Sequence, residues 1–360
     1  MRQWPPSNGW CNVTPGYDSI LVVSFGGPEG QDDVLPFLEN VLRGKNVPRE
    51  RLLEVAEHYR GFGGVSPINE QNRALIAALQ RELAAEGPQL PIYWGNRNWH
   101  PLLPETLARM AGDGKRHALA FVTSAYSSYS GCRQYREDIA RAQEAVGPKA
   151  PRVDKLRVFF NHPGFVEPMV ESVIAALGDA GAKQPGDATT LFTAHSIPRT
   201  MADNSRYVAQ LNEACRLIAN GAGLPQDSWE LVFQSRSGPP GQPWLEPDVC
   251  ERITELHAAG GLQRLVIVPV GFISDHMEVI YDLDHEAVQV CQSLGITCRR
   301  AATVGVHPRF VRMIRELVVE RISPGVERSA LGTLGPSHDV CPENCCLYPR
   351  TPPAAMAGGA

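Results

Sequence analysis

The chain has 360 residues, with 34 lysines and arginines against 39 aspartates and glutamates and a formal net charge of −5. This length predicts one large or two medium domains with an ample core. Hydrophobic residues make up 43% of the sequence, which excludes bulk disorder, and the mild acidity excludes a basic footprint for nucleic acid. The longest apolar run, around 265–273, is too short to span a membrane, and the N-terminus lacks a secretory signal pattern, so we expect a cytoplasmic protein.

Apolar runs of strand length alternate with helical stretches along the chain. Among the helices, 69–86 is the clearest, because its leucines fall on one face. This alternation predicts an α/β fold with parallel sheets covered by helices on both sides. The predicted strands are 19–25, 91–96, 117–123, 156–160, 189–194, 230–234, 264–270 and 296–301.

We predict four segments in the chain. They are an irregular arm at 1–17, two doubly wound domains at 18–160 and 161–322, and a cysteine-containing tail at 323–360 that ends in a mobile stretch. Eight strands could also form a (β/α)₈ barrel. Two open sheets are favoured because the candidate catalytic residues follow strands in both halves, as in a cleft between sheets.

A row of carboxylates follows the seventh predicted strand. Asp275, Glu278, Asp282 and Glu286 are spaced three, four and four residues apart, and would share one face of a helix with Ser274 or Asp275 as its N-cap. Neighbouring like charges repel, so the row requires a cation or open solvent. A solvated surface helix is the simpler interpretation. The start of the row at a strand end, where active sites of α/β folds lie, favours a path for a divalent cation.

A histidine ends the fifth predicted strand, in the segment TTLFTAHSIP. The ordinary pKa of histidine, near 6.5, lets His195 take up and release protons at physiological pH. Alone, His195 could equally cap the strand. Together with the acidic helix it could bind a borderline metal such as Fe²⁺.

The glycine-rich segments do not predict a nucleotide site. Gly26, Gly27 and Gly30 follow the first strand but do not match GxGxxG, and the sequence contains neither a GxxxxGK[ST] loop nor a GxSxG elbow. In a second such segment, GFGGVSP, Ser66 could cap the next helix or help hold an anionic group.

Three cysteines cluster in the tail, in the segment SHDVCPENCCLYP. Disulfides are rare in a reducing compartment, so Cys341, Cys345 and Cys346 favour metal binding over cross-linking. Three thiols are one short of a four-cysteine iron–sulfur site, and Cys132, in a polar loop after a strand, is the best fourth ligand. A tail without any ligand is the alternative.

Six blocks of this sequence resemble ferrochelatase, the enzyme that inserts Fe²⁺ into a porphyrin. They span about 20–322 and occur in the family's order. The residue pattern of several blocks resembles that of the actinobacterial, coproporphyrin-type branch. The blocks are LVVSFGGPEG, HYRGFGGVSPINEQNR, GNRNWHP, FTAHSIP, FQSRSGPPGQPWLEPD and PVGFISDHMEVIYDLDHE.

The resemblance implies two Rossmann-like domains with the porphyrin in a cleft between them. His195 matches the catalytic histidine, and Glu278 matches a carboxylate facing it across the macrocycle. Asp282 and Glu286 match a line of acidic residues that carries metal or protons. In the family, this line lies on a partly π-helical segment. The implied metal-binding residues are therefore His195, Glu278, Asp282 and Glu286, with His195 as the acceptor of a pyrrole proton.

The resemblance also implies contacts with the porphyrin at Phe25, Ser66, Arg97 and Tyr135. Two positions differ from some members of the family. Phe25 stands where some have tyrosine, and His58 stands where some have an arginine beside the outer acidic residues.

The implied substrates are ferrous iron and a porphyrin, with coproporphyrin III favoured and protoporphyrin IX as the alternative. The implied cofactor is a [2Fe–2S] cluster on Cys132, Cys341, Cys345 and Cys346. A cobalt or nickel chelatase and a non-catalytic tetrapyrrole or metal carrier are the rival functions. We expect a monomer or weak dimer with no nucleic acid partner and no transmembrane segment.

Overall fold

The strands form two separate parallel sheets in the computed structural model, which describes residues 16–44, 47–238 and 241–348. Their orders are β2-β1-β3-β4 and β6-β5-β7-β8. The strands are β1 (Ser19–Ser24), β2 (Ile92–Asn96), β3 (His117–Val122), β4 (Arg152–Lys155), β5 (Thr189–His195), β6 (Trp229–Gln234), β7 (Arg264–Val268) and β8 (Thr297–Arg300). The α/β class with two doubly wound sheets is confirmed, and the barrel alternative is wrong.

Helices join and cover the strands. The α-helices are α1 (Val34–Val41), α2 (Arg49–Gly61), α3 (Ile68–Glu86), α4 (Leu103–Gly112), α5 (Gln134–Val146), α6 (Pro163–Asp179), α7 (Arg199–Asp203), α8 (Tyr207–Gly221), α9 (Val249–Ala258), α10 (Met277–Val279), α11 (Val288–Ser293) and α12 (Pro308–Ile322). The described residues include two π-helical segments, at Tyr129–Arg133 and Ile280–Ala287. In the part of the chain that the structure describes, no helix is long and apolar enough to cross a membrane.

Buried β-branched and aromatic side chains explain most of the strands. β1 is wholly buried between its neighbours β2 and β3, which suits its sequence SILVVS. The prediction at 156–160 is wrong, since the fourth strand is Arg152–Lys155. Phe159 and Phe160 are instead core residues outside any strand, and the ring of Phe159 stacks on that of Phe121 at 5.4 Å. A segment that is buried without strand pairing therefore has the same apolar pattern as a buried strand.

The tail contains no helix or strand between 323 and 348, yet it is anchored to the body of the protein. Asn161 donates to the carbonyl oxygens of Leu331 and Gly335 at 3.1 and 2.9 Å. Arg157 donates to the Ser329 carbonyl at 2.9 Å. The predicted mobile end lies outside the described residues, as does the predicted arm apart from 16 and 17.

Candidate active site

The carboxyl ends of the second sheet's strands bring the main candidate residues together. His195 is the last residue of β5 and pairs in register with Gln234, the last residue of β6. After β7 the chain passes directly over β5, where a Cβ on Gly271 would lie 2.8 Å from the Cα of Ala194. Only glycine permits this approach, which brings the following acidic segment against His195.

His195 and Glu278 contact each other directly. Nε2 of His195 lies 3.6 Å from Oε1 of Glu278, and the two side chains are 32% and 42% exposed. Nδ1 of His195 lies 2.5 Å from the Ser196 carbonyl oxygen, which can only accept, so Nδ1 carries a hydrogen. Nε2 is therefore the atom that exchanges a proton or binds a metal. At this separation the two side chains touch each other, and their placement across a macrocycle stays a prediction.

The charges of this pair stabilise each other. Burial opposes the imidazolium form, but the Glu278 carboxylate, the Ser196 carbonyl and Asp282 outweigh burial and raise the pKa of His195 to about 9. Burial likewise opposes the Glu278 carboxylate, while His195 and His276 outweigh it and hold the pKa of Glu278 well below its usual range. At neutral pH the pair is therefore an imidazolium beside a carboxylate.

The acidic row continues from this pair towards the surface. Asp282 lies in the second π-helix and accepts hydrogen bonds from Ser235 and from Nε2 of Gln234, the latter at 3.3 Å. Burial raises the pKa of Asp282 to about 7, with a further contribution from Glu278 and Glu286. Glu286 is exposed near the end of the same segment. The row thus runs from a half-buried ion pair, through a carboxyl group that titrates near neutrality, to solvent.

Asp275 does not belong to the row, contrary to the spacing argument. The helix begins at Met277 with His276 as its N-cap residue, so the prediction of Ser274 or Asp275 as N-cap is wrong. Arg300 of β8 binds both oxygens of Asp275 at 3.1 Å, and it also binds Asp284. Arg300 thereby pairs with two carboxylates that lie off the row.

Aromatic rings from the first half of the chain lie beside the row. The ring centroids of Phe25 and Phe37 are 6.2 Å apart, and those of Phe37 and Tyr59 are 5.8 Å apart. Burial raises the pKa of Tyr59, and the charges of Glu278 and Asp282 raise it further, which places Tyr59 close to both. Phe25 is thus linked to the acidic row through two intervening rings.

His58 occupies the outer part of this wall. Its ring stacks on that of Tyr281 with centroids 3.9 Å apart and planes within 8°. Burial lowers the pKa of His58, although the nearby charge of Glu286 opposes the change. His58 therefore faces the exposed end of the row as an uncharged aromatic group rather than as a fixed cation.

The other predicted porphyrin contacts are internal. The guanidinium of Arg97 is 8% exposed, is paired with Asp138 and lies 4.6 Å from the centroid of the Tyr135 ring. Tyr135 is itself buried, and burial raises its pKa. Ser66 is buried against the loop after β1, where a Cβ on Gly27 would lie 2.7 Å from that of Ser66. In this arrangement the guanidinium of Arg97 is occupied by Asp138 and is not free to bind a propionate.

The four candidate iron–sulfur cysteines gather beside the first π-helix. Cys132 lies in that segment and is buried. A hydrogen bond from the Cys341 thiol, against the opposing effect of burial and with the charge of Lys155, lowers the pKa of Cys132 to about 5. The Sγ atoms of Cys345 and Cys346 are 3.6 Å apart.

The tail is held against Cys132 by its neighbour. Nη1 of Arg133 donates to the carbonyl oxygens of Glu343 and Cys345 at 2.7 and 3.1 Å. These bonds bring a segment more than 200 residues later in the chain back to the first π-helix.

Several residues at these sites were missed by the sequence analysis. Gln234 and Ser235 hold Asp282, and His276 contacts Glu278 at 3.3 Å. All three lie within the blocks FQSRSGPP and FISDHMEV. Their position at the end of a predicted strand or in the predicted acidic helix was the signal that could have identified them. His338 is the other omission. One of its ring nitrogens and the Sγ atoms of Cys341 and Cys345 all lie within 4.8 Å of one another.

Comparison with known proteins shows the family to which the chain is similar. A family model described as ferrochelatase matches residues 17–322. A ferrochelatase of Rhodopirellula baltica is 62% identical over 96% of this chain and 97% of the relative. A coproporphyrin III ferrochelatase of Streptomyces coelicolor is 52% identical over 95% and 96% of the two chains. The solved structure of SirB from Bacillus subtilis with Fe³⁺ is similar in fold, with a TM-score of 0.53 at 15% identity, over 85% of this chain and 95% of that one.

Proposed function

The chain belongs to the ferrochelatase family, and on this premise we propose that it inserts Fe²⁺ into coproporphyrin III, with His195 and Glu278 at the reacting centre. The contact between these two side chains at the end of β5 is the observation that carries the proposal. The named substrate of the Streptomyces coelicolor relative, together with coverage of nearly the whole length of both chains, supports coproporphyrin III over protoporphyrin IX.

His195 and Glu278 are proposed to bind the incoming iron together. Metal–nitrogen bonds of about 2.0–2.1 Å and metal–oxygen bonds of about 2.0–2.2 Å allow one ion to join atoms up to about 4.2 Å apart. The separation of Nε2 and Oε1 in the structure is 3.6 Å, so a single ion can bridge them. Imidazole and carboxylate are both accepted by Fe²⁺.

Iron and a proton compete for the same nitrogen. Because the pKa of His195 is about 9, Nε2 carries a proton at neutral pH, and Fe²⁺ must displace it in order to bind. Once the iron passes into the macrocycle, Nε2 is free to accept one of the two pyrrole protons that the porphyrin must lose. Metal delivery and proton removal then use one nitrogen atom in turn.

The released protons are proposed to leave along the acidic row. Asp282 has a pKa of about 7 and exchanges protons readily at neutral pH, while Glu286 is exposed to solvent. The hydrogen bonds from Gln234 and Ser235 keep the Asp282 carboxyl group in place. The same carboxylates can lead iron inwards, since carboxylate oxygens also bind Fe²⁺.

The test is an anaerobic insertion assay with Fe²⁺ and each of the two porphyrins. We expect a higher kcat/KM with coproporphyrin III, and loss of insertion with retained porphyrin binding in His195→Ala. The matched control is His257→Ala, in the last turn of α9. Preference for protoporphyrin IX would overturn the substrate, and normal turnover by His195→Ala would overturn the role of His195.

We further propose that Cys132, Cys341, Cys345 and Cys346 bind a [2Fe–2S] cluster. Two thiolates on one tetrahedral metal, at bonds of about 2.3 Å, lie about 3.7 Å apart, and the Sγ atoms of Cys345 and Cys346 are 3.6 Å apart. Cys132 and Cys341 form a second adjacent pair, as a two-iron centre requires. The lowered pKa of Cys132 favours the thiolate, which is the metal-binding form. A reducing compartment suits these thiols, so the cytoplasm is the proposed place of the reaction.

A further inference from the structure

His338 adds a donor that the cysteine pattern does not account for. A ring nitrogen of His338 lies within 4.8 Å of both the Cys341 and Cys345 Sγ atoms, and these two sulfur atoms lie within the same distance of each other. His338 is exposed, while Cys341 and Cys345 are half-buried. Small side-chain movements would therefore let all three atoms bind one ion, since two metal–sulfur bonds span at most about 4.6 Å.

The site contains more donors than a cluster can use. A [2Fe–2S] centre takes four protein ligands, and the four cysteines of the proposed function already supply them. His338 makes a fifth donor at the same place, on the solvent side. Imidazole can replace thiolate on the iron of such centres, and it also binds Zn²⁺ beside thiolates.

We propose that His338 is a metal-binding residue of this centre, able to take the coordination position of Cys341 or Cys345 when that thiolate is lost. The inference rests on the proposed cluster. The exchange is a ligand substitution without electron transfer, in which a neutral imidazole nitrogen replaces a thiolate and the centre becomes more positive by one charge. Replacement of Cys345 by alanine removes one thiolate and leaves such a position open.

The exchange is limited to Cys341 and Cys345, whose Sγ atoms lie within 4.8 Å of a ring nitrogen of His338. Cys132 is buried in the first π-helix, and it is not a member of the group in which all donor atoms lie within 4.8 Å. His338 is therefore expected to replace Cys345 but not Cys132. This difference gives the proposal an internal control.

The experiment compares full-length variants purified without oxygen after growth with ¹⁵N-histidine. Cys345→Ala should retain at least half of the iron of the unaltered protein and show nitrogen hyperfine coupling in pulsed EPR of the reduced centre. Cys345→Ala combined with His338→Ala should lose the iron, whereas Cys345→Ala combined with His257→Ala should keep it. Loss of iron in Cys345→Ala alone, absence of the nitrogen coupling, or equal iron in both double variants would overturn the proposal.

A second measurement separates this inference from the proposed cluster. If the unaltered protein shows no iron–sulfur absorption, the cluster proposal fails, and His338 is then tested with Zn²⁺ alone. We expect Zn²⁺ binding to the reduced protein to weaken at least tenfold in His338→Ala and to be unchanged in His257→Ala. Equal Zn²⁺ affinity in the two variants would overturn the role of His338.

Discussion

Replacement of Glu278 by glutamine should release His195 from its charged state. The Glu278 carboxylate is the main group that raises the pKa of His195 to about 9, against the opposing effect of burial. Without that charge, we expect the pKa of His195 to fall to about 6.5 or below. At pH 7.5 the neutral fraction of the imidazole would rise from about 3% to about 90%, a change of roughly 30-fold.

This change is measured directly by NMR titration of ¹³C-labelled histidine, with the His195 signal assigned by its absence in His195→Ala. Glu286→Gln is the matched control, since it removes an exposed carboxylate of the same row and should leave the titration of His195 near pH 9. An unchanged midpoint in Glu278→Gln would refute the ion-pair argument, and an equal fall in Glu286→Gln would attribute the shift to the row as a whole.

The same perturbation has a kinetic consequence. Because Fe²⁺ must displace a proton from Nε2, the KM for Fe²⁺ in the unaltered protein should rise by up to about tenfold for each pH unit below about 9. In Glu278→Gln the KM should be higher throughout, since a ligand is lost, but nearly independent of pH between about 6.5 and 9. Equal pH slopes in the two proteins would contradict the competition between proton and iron.

Three further predictions test other parts of the molecule. Asp282→Asn keeps the hydrogen bonds but cannot carry a proton, so kcat should fall by about 10²-fold with the KM for porphyrin unchanged; unaltered turnover would contradict the relay. In Arg157→Ala, the buried carboxylate of Glu320 loses the guanidinium that binds it at 2.8 Å. The free energy of unfolding, measured by denaturant titration, should fall by about 3–5 kcal/mol. A fall of less than about 1 kcal/mol would contradict the role of this ion pair in stability. Cys132→Ser should abolish visible iron–sulfur absorption, and Cys250→Ser should not; an unchanged spectrum in Cys132→Ser would exclude Cys132 as a ligand.

The sequence predicted most strands well because strand length, burial and β-branched composition agree in them. β1 and β3 differ from their predictions by one residue at one end. β4 was misplaced because RVDK carries charges at a sheet edge, while the following apolar residues are buried without strand pairing. A hydrophobic pattern predicts burial. It does not distinguish a buried strand from a buried segment that pairs with no strand.

The candidate site was predictable in its members but not in its contacts. The position of His195 at a strand end and the four-residue spacing of Glu278, Asp282 and Glu286 were visible in the sequence. The π-helix was not visible from spacing, since residues four apart remain close on either kind of helix. Exclusion of Asp275 depends on Arg300, which arrives from another strand and has no local signal.

The surroundings of the acidic row explain why its inner carboxylates can serve a moving cation. Arg300 is shared by Asp275 and Asp284 and is held by both, so its charge is not directed along the row. The partner of Glu278 is instead His195, which can lose its proton where an arginine could not. A cation that arrives along the row therefore meets the Glu278 carboxylate, and the positive charge that balances this carboxylate can leave as a proton from His195. An arginine in place of His195 would preserve the ion pair and block the exchange.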